Sequence, residues 1–383
     1  MNIGFDAKRI YQNTTGLGHY SRTLVTSLAT YFAENEYYLF APKITNKFNA
    51  DDFENIHSVT PTKFPSTLLK AAWRSNWVKK DLLKHKIDVY HGLSHEIPFG
   101  INKTKVKSVV TIHDLIFERY PNQFSKIDVQ IYRRKFKNAC INSNKIIAIS
   151  EQTKKDIIDF YNINENKIEV CYQSCNDIFR QEISEAEKKR IKEIYQLPDK
   201  FFLTVGSIIE RKNLLTIVQA LQQLKSEINI PLVVIGNGGS YKEIVKNHIS
   251  KNNLQNDVIF LSEKEAVKNL ATYKNSVDFP AIYQQAIAMI YPSTFEGFGI
   301  PVLEALCSKL PVITSNVSCL PEAGGDAALL IDPFSVNEMA SAMQKVFFDN
   351  IFAAEMKTKG LLYAKKFSQE KTATAVMNVY KNL

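Results

Sequence analysis

The stretch "FEGFGIPVLEA" places two carboxylates, Glu296 and Glu304, eight positions apart around a Gly-Phe-Gly turn and Pro301. Proline suits the first turn of a helix, where its missing N–H costs nothing. Gly297 and Gly299 let the backbone approach a ligand closely. The N–H groups near Gly299, Ile300 and Val302 would then face outward at the positive end of a helix, which is an anion site and most naturally a phosphate site. Carboxylates are poor phosphate ligands but good acceptors for sugar hydroxyls. The pattern therefore suits a sugar on either side of a diphosphate, with phosphate on the loop, a ribose on one glutamate and a second sugar on the other. Taken singly, each residue has a plainer reading: Glu304 complements the helix dipole and Glu296 is a solvated loop residue.

Other chemistry-bearing residues also follow apolar runs. "VGSIIERKN", 205–213, sets Arg211 and Lys212 behind a strand candidate. Two cations there would stabilise a diphosphate as it leaves; a solvated basic turn is the bland alternative. His113 in "TIHDL" closes another strand, followed by Asp114; a lone histidine is more often structural, its ring bonded to a backbone carbonyl. "TTGLGHY", 14–20, offers backbone from Gly16 and Gly18, although short glycine motifs are weak alone. "GNGG", 236–239, reads as a turn, and Ser150 in "AISEQTKKDI" as a helix cap first and an acceptor contact second.

These positions demand a particular framework. "MNIGFDA", "DVYHG", "SVVTIHD", "KIIAIS" and "KIEVCYQ" are strand candidates separated by amphipathic stretches, with a helix near Tyr20 to Tyr31. Such alternation argues for βαβ units and a largely parallel sheet. The polar stretch "NDIFRQEISEAEKKRIKEIYQLPDK" after Cys175 reads as a linker. A second series follows: "FFLTVGS", "PLVVIG", "VIFLS", "AMIYPS", "PVITSN" and "AALLID". The expected fold class is α/β, with two doubly wound, Rossmann-like domains and ligands at the carboxyl ends of the strands. The expected boundaries are 1–178 and 179–366. The last helix, 367–383, has helically spaced Ala375, Val376, Val379, Tyr380 and Leu383.

Composition narrows the class. At 383 residues the chain is long for one core. Apolar content of 45% and charged content of 23% describe an ordinary globular protein, without a run long enough to span a membrane or a recognisable signal peptide. The five cysteines form no C-x-x-C pair and suit reduced cytosolic thiols. A formal net charge of +9 favours anionic partners without choosing among them; no nucleic-acid-binding motif is present.

"YPSTFEGFGIPVLEAL" followed by "PVITSNVSCLPEAGGDAALLIDP" resembles the signature of retaining family 4 glycosyltransferases, and the resemblance covers nearly the whole chain, most weakly at 43–85 and 175–198. It implies GT-B architecture, two Rossmann-like domains facing each other across a cleft, with the first on the acceptor side, the second binding nucleotide sugar, and the last helix crossing back to the first. Position by position, Glu304 resembles the glutamate that accepts from the nucleotide ribose. Glu296 resembles the one beside the reacting carbon of the transferred sugar, and the backbone of Phe298, Gly299 and Ile300 would bind phosphate and sugar oxygens. Lys212 matches the family's phosphate lysine. Ser207 stands where an arginine is usual, a departure that Arg211 could compensate, and this Arg-Lys-Asn form is similar to bacterial polysaccharide mannosyltransferases. His113 matches a histidine facing the donor sugar.

The implied reaction is metal-independent, retaining transfer of a hexose from a GDP- or UDP-sugar to a hydroxyl of a glycan or lipid-linked acceptor, with no cofactor. GDP-mannose is the leading donor and cell-surface polysaccharide synthesis the setting. A sugar-nucleotide epimerase, a phosphorylase or a non-catalytic nucleotide-sugar-binding module are the alternatives. The expected location is the cytoplasm, with contact at the inner face of the membrane. Trp73 and Trp77 in the basic segment 70–86, and the run Arg133, Arg134, Lys135 and Lys137, are the candidate membrane elements. For 70–86 a domain helix with tryptophans in the core is the competing reading.

Overall fold

A computed structural model of the chain describes residues 1–62 and 67–383. Contacts divide it into two compact units, Met1–Ser174 with Phe367–Leu383, and Cys175–Lys366. The N-terminal unit holds seven parallel strands: β1 (Asn2–Asp6), β2 (Glu36–Phe40), β3 (Ile56–Val59), β4 (Val89–Gly92), β5 (Lys107–Ile112), β6 (Lys145–Ala148) and β7 (Ile168–Val170), in the order β3-β2-β1-β4-β5-β6-β7. The C-terminal unit holds six: β8 (Phe202–Val205), β9 (Leu232–Ile235), β10 (Val258–Phe260), β11 (Met289–Tyr291), β12 (Val312–Ser315) and β13 (Leu329–Ile331), in the order β10-β9-β8-β11-β12-β13. The order reverses between β1 and β4 in one sheet and between β8 and β11 in the other, and ligands bind beyond the carboxyl ends of the strands at such reversals.

Both faces of each sheet are covered, so most strands are continuous apolar runs, such as Leu232–Ile235, buried throughout. Strands β2 and β3 escaped the sequence reading because they carry polar residues at the sheet edge. There Glu36 and His57 meet on the exposed surface, with Nε2 and Oε2 2.6 Å apart. The first long helix, Gly16–Tyr31, begins four residues before the expected Tyr20, since Thr15 already has extended backbone and ends the preceding loop. The expected linker after Cys175 is corrected more strongly. Its centre is the helix Glu185–Tyr195, capped by Ser184 accepting from the Glu187 N–H. Ile191 and Tyr195, four apart on one face, are buried, and the Tyr195 hydroxyl donates to Asp278 at 2.8 Å. A charged face hid an element that belongs to the C-terminal unit.

The last helix, Gln369–Lys381, lies against helix Gly16–Tyr31, and its Ala373, Val376, Met377, Val379 and Tyr380 enter the core of the N-terminal unit. Tyr380 reaches furthest: its hydroxyl lies 2.6 Å from His91 Nδ1, and His91 Nε2 lies 2.8 Å from Thr111 Oγ1, which in turn is 3.1 Å from the Tyr20 hydroxyl. Burial holds His91 neutral, lowering its pKa to about 3. Tyr380→Phe leaves a buried imidazole nitrogen without its partner. It should lower the unfolding free energy of the N-terminal unit by about 1–3 kcal/mol, read as a lower urea midpoint for that transition at unchanged slope.

Candidate active site

At the reversal point of the C-terminal sheet, the turn after β8 supplies two cations and the loop after β11 supplies a carboxylate. Lys212 Nζ lies 2.5 Å and Arg211 Nη1 2.9 Å from the same oxygen, Glu296 Oε1. The three side chains are only 11–18% exposed. Backbone stitching holds turn and loop together. The Thr294 N–H donates to the Arg211 carbonyl at 2.9 Å, and the Arg211 guanidinium donates to the Phe295 carbonyl. Tyr291, at the end of β11, donates to Glu296 at 3.3 Å; its hydroxyl also accepts from Lys212, whose ammonium sits 4.6 Å from its ring centroid. Behind the loop, the Cys319 thiol donates to the carbonyls of Glu296 and Phe298 at 3.1 and 3.0 Å, and the Ser318 hydroxyl donates to the Glu296 carbonyl at 3.0 Å.

The charges are tuned by this enclosure. Burial alone would raise the Glu296 pKa, but Lys212 and then Arg211 outweigh it and hold the carboxyl below its usual range. Burial lowers the Lys212 pKa against the pull of Glu296. The site thus presents an ionised carboxylate shared by two cations.

Gly299 has φ +110, and a Cβ there would stand 2.9 Å from Leu320 Cδ2, so the bend into helix Ile300–Cys307 requires glycine. Pro301 lies in the first turn, and Gly299 offers that end no side-chain cap. One expectation is corrected: the Val302 N–H does not face outward but donates to the Gly299 carbonyl at 3.0 Å. Phe298 is buried, and Ser207 is exposed just after β8. Glu304 lies one turn into the helix, paired not with the Arg211–Lys212 turn but with Tyr283, whose hydroxyl donates to Oε2 at 2.9 Å.

The remaining candidates belong to the N-terminal unit. His113 follows β5 and is 5% exposed. Its Nε2 lies 2.9 Å from the Leu93 carbonyl and its Nδ1 3.0 Å from Gln173 Nε2. The carbonyl can only accept, so Nε2 carries the proton, and Nδ1 accepts from the amide. Burial pushes the His113 pKa down to about 4. Both ring nitrogens of this buried, neutral histidine are thus engaged within the unit. Gly18 is buried, and a Cβ there would stand 2.2 Å from the Asn13 carbonyl oxygen, so glycine lets the helix start against that loop. Gly16 is exposed, with open space around it. Ser150 caps helix Glu151–Tyr161 by accepting from the Thr153 N–H at 3.0 Å.

Four participants escaped the sequence reading: Tyr291, Tyr283, Cys319 and Ser318. Only Tyr291 carried a signal, as a polar tip at the end of an apolar strand. The others reach the site from segments distant in sequence. Among the described residues, no group of three or more His, Cys, Asp and Glu converges as a metal site, and no helix is long and apolar enough to cross a membrane.

Two parallel-sheet α/β units of this topology have the GT-B fold. A glycosyltransferase from Rickettsia africae has the same fold, with a TM-score of 0.74 at 19% identity, covering 100% of this chain and 98% of that one. The description "Glycosyl transferases group 1" matches residues 185–362 and "Glycosyltransferase Family 4" residues 16–176, and the chain belongs to this family of glycosyltransferases. Among relatives, O-antigen chain mannosyltransferase B of Escherichia coli is 27% identical over 399 residues, covering 100% of both chains. O-antigen chain mannosyltransferase RfbU of Salmonella typhimurium is 27% identical over 356 residues, covering 88% of this chain and 89% of that one.

Burial also raises the Glu304 pKa, from 4.5 to about 7. A carboxyl raised on folding favours the folded state while protonated. Its contribution is complete below about pH 4.5 and is lost as pH rises through about 7, on the order of 3 kcal/mol before solvent screening of the partly exposed side chain reduces it. Glu304→Gln should remove this dependence. Thermal midpoints from pH 4 to 8 are expected to fall for the parent relative to the variant across that window.

Proposed function

We propose that the protein is a retaining hexosyltransferase that moves mannose from GDP-mannose to a hydroxyl of a glycan or lipid-linked acceptor in cell-surface polysaccharide synthesis. The observation that carries this reading is the pairing of Glu296 with both Arg211 and Lys212 at the reversal point of the C-terminal sheet. The choice of mannose rests on the names of the O-antigen relatives. In this reading the donor diphosphate takes over Arg211 and Lys212, with Gly299 and Ile300 at the helix start contributing backbone dipole. Glu296, released from its cations, then turns to the sugar beside the reacting carbon. Glu304 and its Tyr283 partner hold the ribose. As the glycosidic bond breaks, negative charge grows on the phosphate oxygen, and the two cations stabilise it in an enclosed site. The departing phosphate accepts the acceptor's proton on the same face of the sugar, which retains configuration. Arg211 and Lys212 do here what a divalent ion does in metal-dependent transferases.

The exchange of partners gives a sharp test. Glu296→Gln keeps the side-chain shape but leaves two cations short of their counter-ion, so the ligand-free variant should lose about 3–5 kcal/mol of stability. GDP restores the charge balance and should bind the variant at least as tightly as the parent, while turnover of GDP-mannose with a glycan acceptor falls about 100-fold or more. Thermal-shift titration with GDP and product release measured on both proteins provide the comparison. Parent-level turnover in the variant, or failure of GDP-mannose to stabilise the parent, rejects the reading.

A membrane contact is supported by helix Lys126–Asn142 and not by 70–86, where Trp73 is 1% exposed and donates from Nε1 to Asp81 at 2.7 Å. Ile127, Ile131 and Phe124 are exposed, at 71%, 43% and 37%, beside exposed Lys126, Arg134 and Lys137. Apolar residues rimmed by cations suit an anionic lipid surface. Replacing Ile127 and Ile131 together by Asp should reduce co-sedimentation with phosphatidylglycerol vesicles by roughly tenfold, with thermal stability unchanged. Unaltered co-sedimentation would show that another surface makes the contact.

A further inference from the structure

The chain passes from the N-terminal to the C-terminal unit between Ser174 and Cys175. Immediately after that crossing it runs as a strap along the helix Ile300–Cys307. Cys175 Sγ lies 3.0 Å from Cys307 Sγ, 132 positions away in sequence, and the two residues are 1% and 2% exposed. The strap is fastened again four residues on. The Phe179 ring packs on Tyr283 with centroids 5.1 Å apart, and the Phe179 carbonyl accepts from the Ser308 hydroxyl at 3.2 Å. Cys307 is one turn along from Glu304, so the sulfurs lie under the helix that carries that carboxylate. The other three cysteines, Cys140, Cys171 and Cys319, have no such thiol partner in any contact among the described residues.

We propose that Cys175 and Cys307 form a reversible disulfide that staples the crossing strap to the helix Ile300–Cys307 under oxidation. Thiols this close need to approach by only about 1 Å to reach an S–S bond of about 2.05 Å, so the helix keeps its place. With a peroxide as the oxidant, one thiolate attacks a peroxide oxygen, expelling hydroxide and leaving a sulfenic acid. The second sulfur then attacks the first and displaces that hydroxyl as water. Overall, two thiols and one hydrogen peroxide give one disulfide and two waters; a small thiol reverses the bond by exchange. The hydrogen bond to Cys307, and burial, push the Cys175 thiol well above its ordinary range. Reaction therefore runs through local opening of the strap, and is slow in the closed protein.

The test uses the full chain. Protein is treated with hydrogen peroxide, quenched, alkylated after unfolding without reductant, and digested. A mass loss of about 2 Da, a linked peptide pair carrying Cys175 and Cys307, and reversal by dithiothreitol are expected. The oxidised parent should melt roughly 3–6 °C higher than the reduced one. The same treatment should leave Cys307→Ser and Cys175→Ser unshifted, and two variants guard against one that fails to fold. Cys175 and Cys307 both alkylated after treatment, a disulfide formed through any other cysteine, or an equal melting shift in parent and both serine variants would overturn the proposal.

Discussion

A single carboxylate oxygen, Glu296 Oε1, lies within 3 Å of two cationic side chains in a largely buried setting. Charges removed from water must be paired or they unfold the structure. Two loops that are 84 residues apart are therefore compelled to meet, and the bond from Arg211 to the Phe295 carbonyl locks them. The compulsion is met because β8 and β11 are neighbours, with Leu203 beside Met289, so their carboxyl ends open onto the same space. Helices cover both faces of the sheet, and Gly299, with φ +110, bends the loop after β11 into the helix Ile300–Cys307.

The N-terminal unit resolves its buried polar groups differently. His91 and His113 are kept neutral and are absorbed into hydrogen bonds with Tyr380, Thr111, Leu93 and Gln173. At its own reversal point Asp6, the last residue of β1, is held by the forked guanidinium of Arg74, which also reaches Glu96 at 3.0 Å. One sheet end therefore carries a rigid, internally satisfied network. The other carries the converse arrangement, one carboxylate, Glu296, shared by the two cations Arg211 and Lys212, where the first shares the one guanidinium of Arg74 between Asp6 and Glu96.

The polar stretch after Cys175 shows how a charged surface can conceal architecture. Its lysines and glutamates pair with each other in water, as Arg190 does with Glu187 at 2.6 Å. Two apolar side chains on the opposite face, Ile191 and Tyr195, suffice to seat the helix in the C-terminal unit. Average polarity suggested a linker; the periodicity of those two residues carried the correct information.

The strand series, the parallel topology and the glycine-bent loop holding Glu296 and Glu304 were legible in the sequence, because apolar runs and turn residues act locally through burial and backbone sterics. Glu296, Arg211 and Lys212 could be named as strand-end residues for the same reason. That they share one oxygen could not, since Coulomb pairing between segments 84 residues apart depends on which strands are neighbours. The neutrality of His113 likewise belongs to tertiary structure alone. A histidine after a strand looks the same in sequence whether its ring meets a ligand or, as here, a carbonyl and an amide already in place. The need for glycine at position 18 is likewise tertiary, since the Asn13 carbonyl oxygen lies 2.2 Å from where a Cβ would stand. Sequence determined which groups could do chemistry and the elements that carry them. Tertiary structure decided which of them are already satisfied, because desolvation and pairing are properties of neighbours in space.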